Sequence, residues 1–145
     1  MSIRPGDIRL ITFPFFNKEK RELGFKQRPG LVLGNTQNND FIVLPISRVS
    51  NKKYLDANYD VFLDSKKLRH LNLTSDSYVR TNKQTPIFIS QIDVKICNIK
   101  KEYPELYDTV LRMAEQFNGR LFSCARGKAS SASYEEDKNV VLYNR

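Results

Sequence analysis

The chain has 145 residues, which fits one domain burying about 70% of its unfolded surface. Its 24 Lys and Arg outnumber 16 Asp and Glu, giving a formal net charge of +8, so a polyanion or an acidic segment is the expected partner. A hydrophobic content of 40%, with nine Phe and seven Tyr, excludes a disordered basic tail.

Arg4-Pro5-Gly6-Asp7 is a turn cluster. The run after it, Ile8, Leu10, Ile11 and Phe13 with polar residues between, predicts a half-buried strand that Pro14 confines to an edge or an end. Leu10 to Phe16 is the longest apolar stretch, interrupted by Thr12 and Pro14, and falls far short of the roughly 20 residues of a membrane span. Met1 to Asp7 has no apolar h-region after its basic residue, so no secretory signal is read and a cytoplasmic protein is expected. Asn17 to Gln27, with four Lys or Arg and two Glu around Gly24, is expected to be a long, mobile, charged loop.

Leu31 to Leu33 and Phe41 to Ile46 are continuous apolar runs, as in a hairpin buried on both faces. Tyr59 to Asp64 alternates as a further strand, Ser65 to Leu71 reads as a short helix or turn, and Ser77 to Arg80 as a brief strand. Ile92, Val94 and Ile96 alternate with Asp93, Lys95 and Cys97, predicting a strand with the first set on one face. Cys97 and Cys124 lack a CxxC arrangement, and His70 is the sole histidine. Neither a disulfide framework nor a metal site follows, and no cofactor is expected. Pro104 and Glu105 suit a helix start, Leu106, Val110, Met113, Ala114 and Phe117 form its apolar stripe, and Gly119 is expected to stop it. Residues 1–118 would then be the working domain, and 119–145 an extension that is loose or adds a late strand at Val140 to Tyr143. Short strands with one terminal helix predict a small, curved, mainly antiparallel sheet or open barrel.

Charge is concentrated early: residues 1–53 carry ten Lys or Arg against four Asp or Glu, while residues 103–145 carry six of each. Four ordered segments then stand out: Pro5-Gly6-Asp7-Ile8 with Thr12-Phe13-Pro14, Gln27-Arg28-Pro29-Gly30-Leu31-Val32-Leu33, Val43-Leu44-Pro45-Ile46-Ser47, and Asp76-Ser77-Tyr78-Val79-Arg80. Together, over about residues 3 to 118, they resemble the MazF/PemK (Kid-like) toxins of type II toxin-antitoxin systems.

The resemblance implies a small SH3-like (CcdB/MazF-type) antiparallel barrel with a C-terminal helix, a homodimer, and a metal-independent endoribonuclease acting on single-stranded RNA. It also implies a cognate antitoxin with an acidic and apolar C-terminal segment. The family's phosphate-serving positions fall on Arg28, Ser47 and Arg80. Two guanidiniums and a hydroxyl can stabilise a pentacoordinate phosphorane through charge-assisted hydrogen bonds. Kid-like members carry an aspartate two positions after the strand arginine, where this chain has Asn82, which accepts no proton at neutral pH. Other members use a glutamate before the RP arginine, a part that Glu22 or Glu19 could take. Lys20, Arg21, Phe25, Lys26, Arg48 and Asn82 are the further RNA-binding candidates, with Lys18, Lys52 and Lys53 as a steering fringe. The bland readings are solvated cations, Arg80 paired with Asp76 or Asp93, Phe15, Phe16 and Phe25 packed onto the barrel, and His70 outside the site. The alternatives to the nuclease are a catalytically impaired RNA or antitoxin binder and a CcdB-like gyrase poison.

Overall fold

A computed structural model describes residues 2–49 and 51–128. It contains seven strands, β1 (Asp7–Asn17), β2 (Glu22–Gln37), β3 (Asp40–Ser47), β4 (Asp60–Leu63), β5 (Ser77–Arg80), β6 (Thr85–Phe88) and β7 (Ile92–Asn98), followed by helices α1 (Ile99–Glu102) and α2 (Pro104–Ala125). All pairings are antiparallel, in the order β4-β5-β3-β2-β1-β7. The fold is therefore mainly β with a C-terminal helix, as the sequence predicts, and the sheet curls into a half-barrel.

Two apolar layers explain the continuous hydrophobic runs of β2 and β3. Ile8, Leu31, Leu44, Ile46, Leu63 and Val79 enter one core, closed by Ile99 and Val110 of the helices. Ile11, Val32, Phe41, Val43, Ile87 and Ile92 enter a second on the opposite face. Alternate residues of one strand thus serve different cores, as a period of two requires. The turn motif is tied in by Asp7, fully buried, which accepts hydrogen bonds from Arg9 Nε (3.1 Å), Arg4 N (3.1 Å) and Asn98 Nδ2 (2.9 Å).

Four expectations change. The Asn17 to Gln27 segment is not a loop but the end of a long hairpin: β1 and β2 pair without a break from Ile8↔Leu31 to Asn17↔Glu22. Only the residues between them form the turn, in which Arg21 is left-handed (φ 52) and Lys20 N donates to Asn17 Oδ1 (3.2 Å). Gly24 is there for close packing, since a Cβ on it would lie 2.8 Å from the Phe15 ring. Pro14 is accommodated because β7 pairs with β1 only as far as Ile11, leaving that side of the strand open beyond it.

The alternation expected in β7 fails. Register shifts against β1 change its parity, so Ile92 and Cys97 are buried while Val94 is 58% exposed. Strand β6 carries no signal in the sequence pattern: it is short, contains Pro86, buries only Ile87, and pairs with the first half of β3 while β5 takes the second half. Helix α2 passes through the exposed Gly119 and stops at Gly127 (φ 76), where Gly127 N donates to Cys124 O (3.0 Å) and Lys128 N to Ser123 O (2.9 Å). That bond pair is a Schellman stop, so Arg120 to Ala125 are helical rather than loose. The strand expected at Val140 to Tyr143 lies outside the described residues.

Candidate functional site

The site face arises where the sheet forks. Beyond Gly30↔Pro45, strand β2 runs on with β1 as the projecting hairpin, while β3 ends at Ser47 and takes β5 as its other neighbour. At this fork Arg28 Nη1 donates to Ser47 Oγ at 2.7 Å. Ser47 stands opposite Tyr78 of β5, and Arg80, two residues on, shares that face. Burial, followed by the nearby charge of Arg80, lowers the Arg28 pKa below the ordinary guanidinium value. Two cations are therefore held together and partly out of water, an arrangement that an anion would relieve.

Arg80 is fixed by neither Asp76 nor Asp93. Its Nε donates to Asp60 Oδ1 at 2.7 Å and its Nη2 to the Tyr54 carbonyl at 3.1 Å. Asp60 faces it from the neighbouring strand, with its side chain 2% exposed, and its other oxygen accepts from Asp56 N (2.8 Å). Asp76 caps Ser65, accepting from both its N and its Oγ at 2.9 Å, which lowers the Asp76 pKa. Asn82 reaches Asp56 Oδ2 with its Nδ2 at 3.5 Å, and its buried Oδ1 has no protein partner. Sequence reasoning missed Asp60 and Asp56. The signal available was Asp60 alternating with Tyr59 and Val61, a charge on the site face of a strand, but its pairing with Arg80 needed the register.

A cavity of about 370 Å³ opens beside the Arg28–Ser47 bond, lined among others by Lys26, Arg28, Ser47, Arg48, Asn72 and Thr74. The structure thus brings Lys26 and Arg48 to Arg28. It does not bring Glu22, Lys20 or Arg21 there. Glu22 begins β2, six strand residues and roughly 20 Å from Arg28; Lys20, Arg21, Lys18 and Glu19 lie at the hairpin turn, all exposed. Phe25 is 65% exposed but sits one residue from Lys26 on a strand, hence on the opposite face from Lys26 and Arg28. Phe16 is 47% exposed on that same outer face, while Phe15 packs over Gly24. Packing therefore accounts for Phe15 alone of the three.

Lys52 and Lys53 form an exposed 3-10 turn leading to Tyr54, whose carbonyl holds Arg80. His70 is away from the fork, its ring against Tyr103 (5.9 Å between centroids) and its Nε2 3.6 Å from Glu102 Oε2. Cys97 is buried, which pushes its thiol up to about 11 and leaves it protonated and inert. Among the described residues no group of three or more His, Cys, Asp or Glu could hold a metal ion, and no helix is long and apolar enough to cross a membrane.

A model of the PemK-like, MazF-like toxins of type II toxin-antitoxin systems matches residues 4–113, from the turn before β1 into α2. The chain belongs to this family. Its members are toxins, in general ribonucleases, each paired with a cognate antitoxin. The match takes in the fork, with Arg28, Ser47 and Arg80, and the whole hairpin. No curated protein matches the chain.

Proposed function

We propose that this toxin is a metal-independent endoribonuclease that cleaves single-stranded RNA by attack of a 2′-hydroxyl on the adjacent phosphate. The observation that carries the reading is the 2.7 Å bond between Arg28 and Ser47, with a second guanidinium, Arg80, oriented by Asp60 beside it. Arg28 and Arg80 would bind the non-bridging oxygens, and their donors strengthen as the phosphorane gathers charge. The Ser47 hydroxyl holds Arg28 before substrate arrives and can donate to the phosphate once it has.

In the reaction the 2′-oxygen bonds to phosphorus and the P–O5′ bond breaks, leaving a 2′,3′-cyclic phosphate and a 5′-hydroxyl. No carboxylate stands at position 82, and arginine stays protonated at neutral pH. The 2′-proton is therefore assigned to hydroxide, and the 5′-oxygen takes its proton from water. This assignment makes the rate rise with pH and makes Glu22→Gln nearly silent in cleavage, within about twofold. A rate that falls at least tenfold in Glu22→Gln would return the base to the hairpin.

Lys26 and Arg48 in the adjoining cavity, and Lys20 and Arg21 at the hairpin turn, are assigned to the RNA backbone flanking the cut. The antitoxin would lay an acidic, apolar segment across the same cations, and a homodimer would set two such forks in one groove. The test is long RNA incubated with the purified protein in a chelator, with the new ends chemically identified. Fragments with 5′-hydroxyl ends are expected, lost in Arg28→Ala. Intact RNA at excess protein, with RNA still bound in a salt-dependent way, would favour the second reading, a binder without chemistry, which the replacement by Asn82 motivates.

A further inference from the structure

Strand register places four side chains in one row on the site face. Arg28 bonds Ser47, Ser47 opposes Tyr78, and Tyr78 opposes Phe62. Opposed residues of antiparallel strands share a face. The first two members of the row are the polar groups of the fork, and the last two are an aromatic pair with ring centroids 5.4 Å apart and planes at 54°. Phe62 is 49% exposed, although its strand neighbours turn inward to a core in which Leu63 is 1% exposed. With strands spaced at about 4.8 Å, Tyr78 lies roughly 5 Å and Phe62 roughly 10 Å from Ser47 across the sheet.

The next row of the same face holds Arg80 opposite Asp60, so the rings are flanked by the oriented guanidinium rather than by further apolar surface. On the other side of Ser47, toward β2, the cavity is lined by Lys26, Arg28 and Arg48. A strand of nucleic acid with one phosphate at Ser47 therefore meets cations on one flank and aromatic faces on the other.

We propose that Tyr78 and Phe62 form a stacking subsite for one unpaired nucleobase next to the phosphate bound at Arg28 and Ser47. The proposal rests on the reading of the fork as a phosphate site and adds its specificity element. Stacking on an aromatic ring selects for an unpaired, accessible base and tolerates all four, because each has a π face. Phe62 offers the open ring, and Tyr78 braces it from the strand nearer the phosphate. The subsite would make the toxin require a base at that nucleotide, independently of contacts in the cavity. It would also exclude duplex RNA, whose bases are already stacked.

The test uses the full chain and two 2′-deoxy octanucleotides, which cannot be cleaved: one with mixed bases, the other fully abasic with the same phosphates. Phe62→Ala is expected to weaken binding of the first about tenfold, about 1.4 kcal/mol, the scale of one base-aromatic stack, and to leave the second unchanged. Phe62→Tyr should restore the loss. Equal binding of the mixed-base probe by wild type and Phe62→Ala, or an equal loss on both probes, would overturn the subsite. Arg28→Ala tests the underlying phosphate reading separately, since it should weaken both probes alike. If it weakens neither while Phe62→Ala still acts on the mixed-base probe alone, the phosphate reading fails and the stack stands. Sedimentation velocity supplies the remaining control. A smaller assembly for Phe62→Ala would assign the rings to an interface between copies and overturn the proposal, whereas an unchanged assembly supports it.

Discussion

The fork and the hairpin turn are both rich in cations, but the two regions hold them differently. At the fork, Arg28 is tied to Ser47 and Arg80 to Asp60 and the Tyr54 carbonyl, and the four side chains stand on strands anchored in the two cores. At the turn, Lys20 and Arg21 are exposed at the end of a two-stranded arm that carries the open apolar residues Phe16, Leu23 and Phe25. Orientation before the substrate arrives is what transition-state stabilisation needs, whereas long-range attraction needs only charge. The comparison therefore separates groups that act on the reacting phosphate from groups that draw RNA in.

The largest expected effect is at the fork. Arg28→Met should lower cleavage by about 1,000-fold, the upper end of what loss of an oxyanion-binding donor costs. The same variant should be more stable than the wild type. Burial and Arg80 depress the folded pKa of Arg28, so keeping it charged costs free energy at every pH below that value, neutral pH included. A higher Tm near pH 7 is expected in a melting scan, and sulfate should stabilise the wild type more than the variant.

Next comes Asp60→Ala, which frees Arg80 beside another cation. A stability loss of about 3 kcal/mol in urea titration is expected, and a fall in cleavage on the order of 100-fold. Both effects should be smaller in Asp60→Asn, which still accepts from Arg80 Nε.

The double variant Lys20→Ala with Arg21→Ala should leave chemistry intact. Its affinity for RNA should fall several-fold at physiological salt, and its plot of log affinity against log salt should flatten by about 1.4 if both side chains meet phosphates of a single strand. The smallest effect is at Asp76, whose carboxyl is held below its usual value by Ser65. Such a group stabilises the fold above the unfolded carboxyl pKa, and the contribution is lost as pH falls through the folded value. Asp76→Asn should therefore lower Tm slightly at pH 7 and make no difference in strong acid.

The same comparison explains what the sequence made legible. The fork was readable because the RP motif, the strand ending in Ser47 and the strand ending in Arg80 are short local patterns within apolar runs, and their order carries a family resemblance. The hairpin was not, because its signals are tertiary. Gly24 resembles a loop residue until Phe15 is seen over it, and Pro14 breaks a strand only where a second neighbour needs its missing N–H. Strand β7 failed for a related reason, since its bulges against β1 reverse the parity on which the alternation was read. Gly119 resembles a helix stop because it is a glycine just past the last apolar repeat, whereas Gly127 ends α2 because its left-handed backbone lets two amides return to Cys124 and Ser123. Asp60 belongs to the same class. Its type and strand were visible, but its bond to Arg80 follows from a register no local pattern carries.

The most direct test of the division of labour is a side-by-side cleavage assay in chelator, across a salt series, of wild type, Arg28→Ala and the Lys20→Ala, Arg21→Ala double variant. The account predicts that the double variant recovers wild-type cleavage as salt is lowered and RNA binding saturates, while Arg28→Ala stays inactive at every salt concentration. Recovery of Arg28→Ala at low salt, or a double variant inactive at saturating RNA, would contradict it.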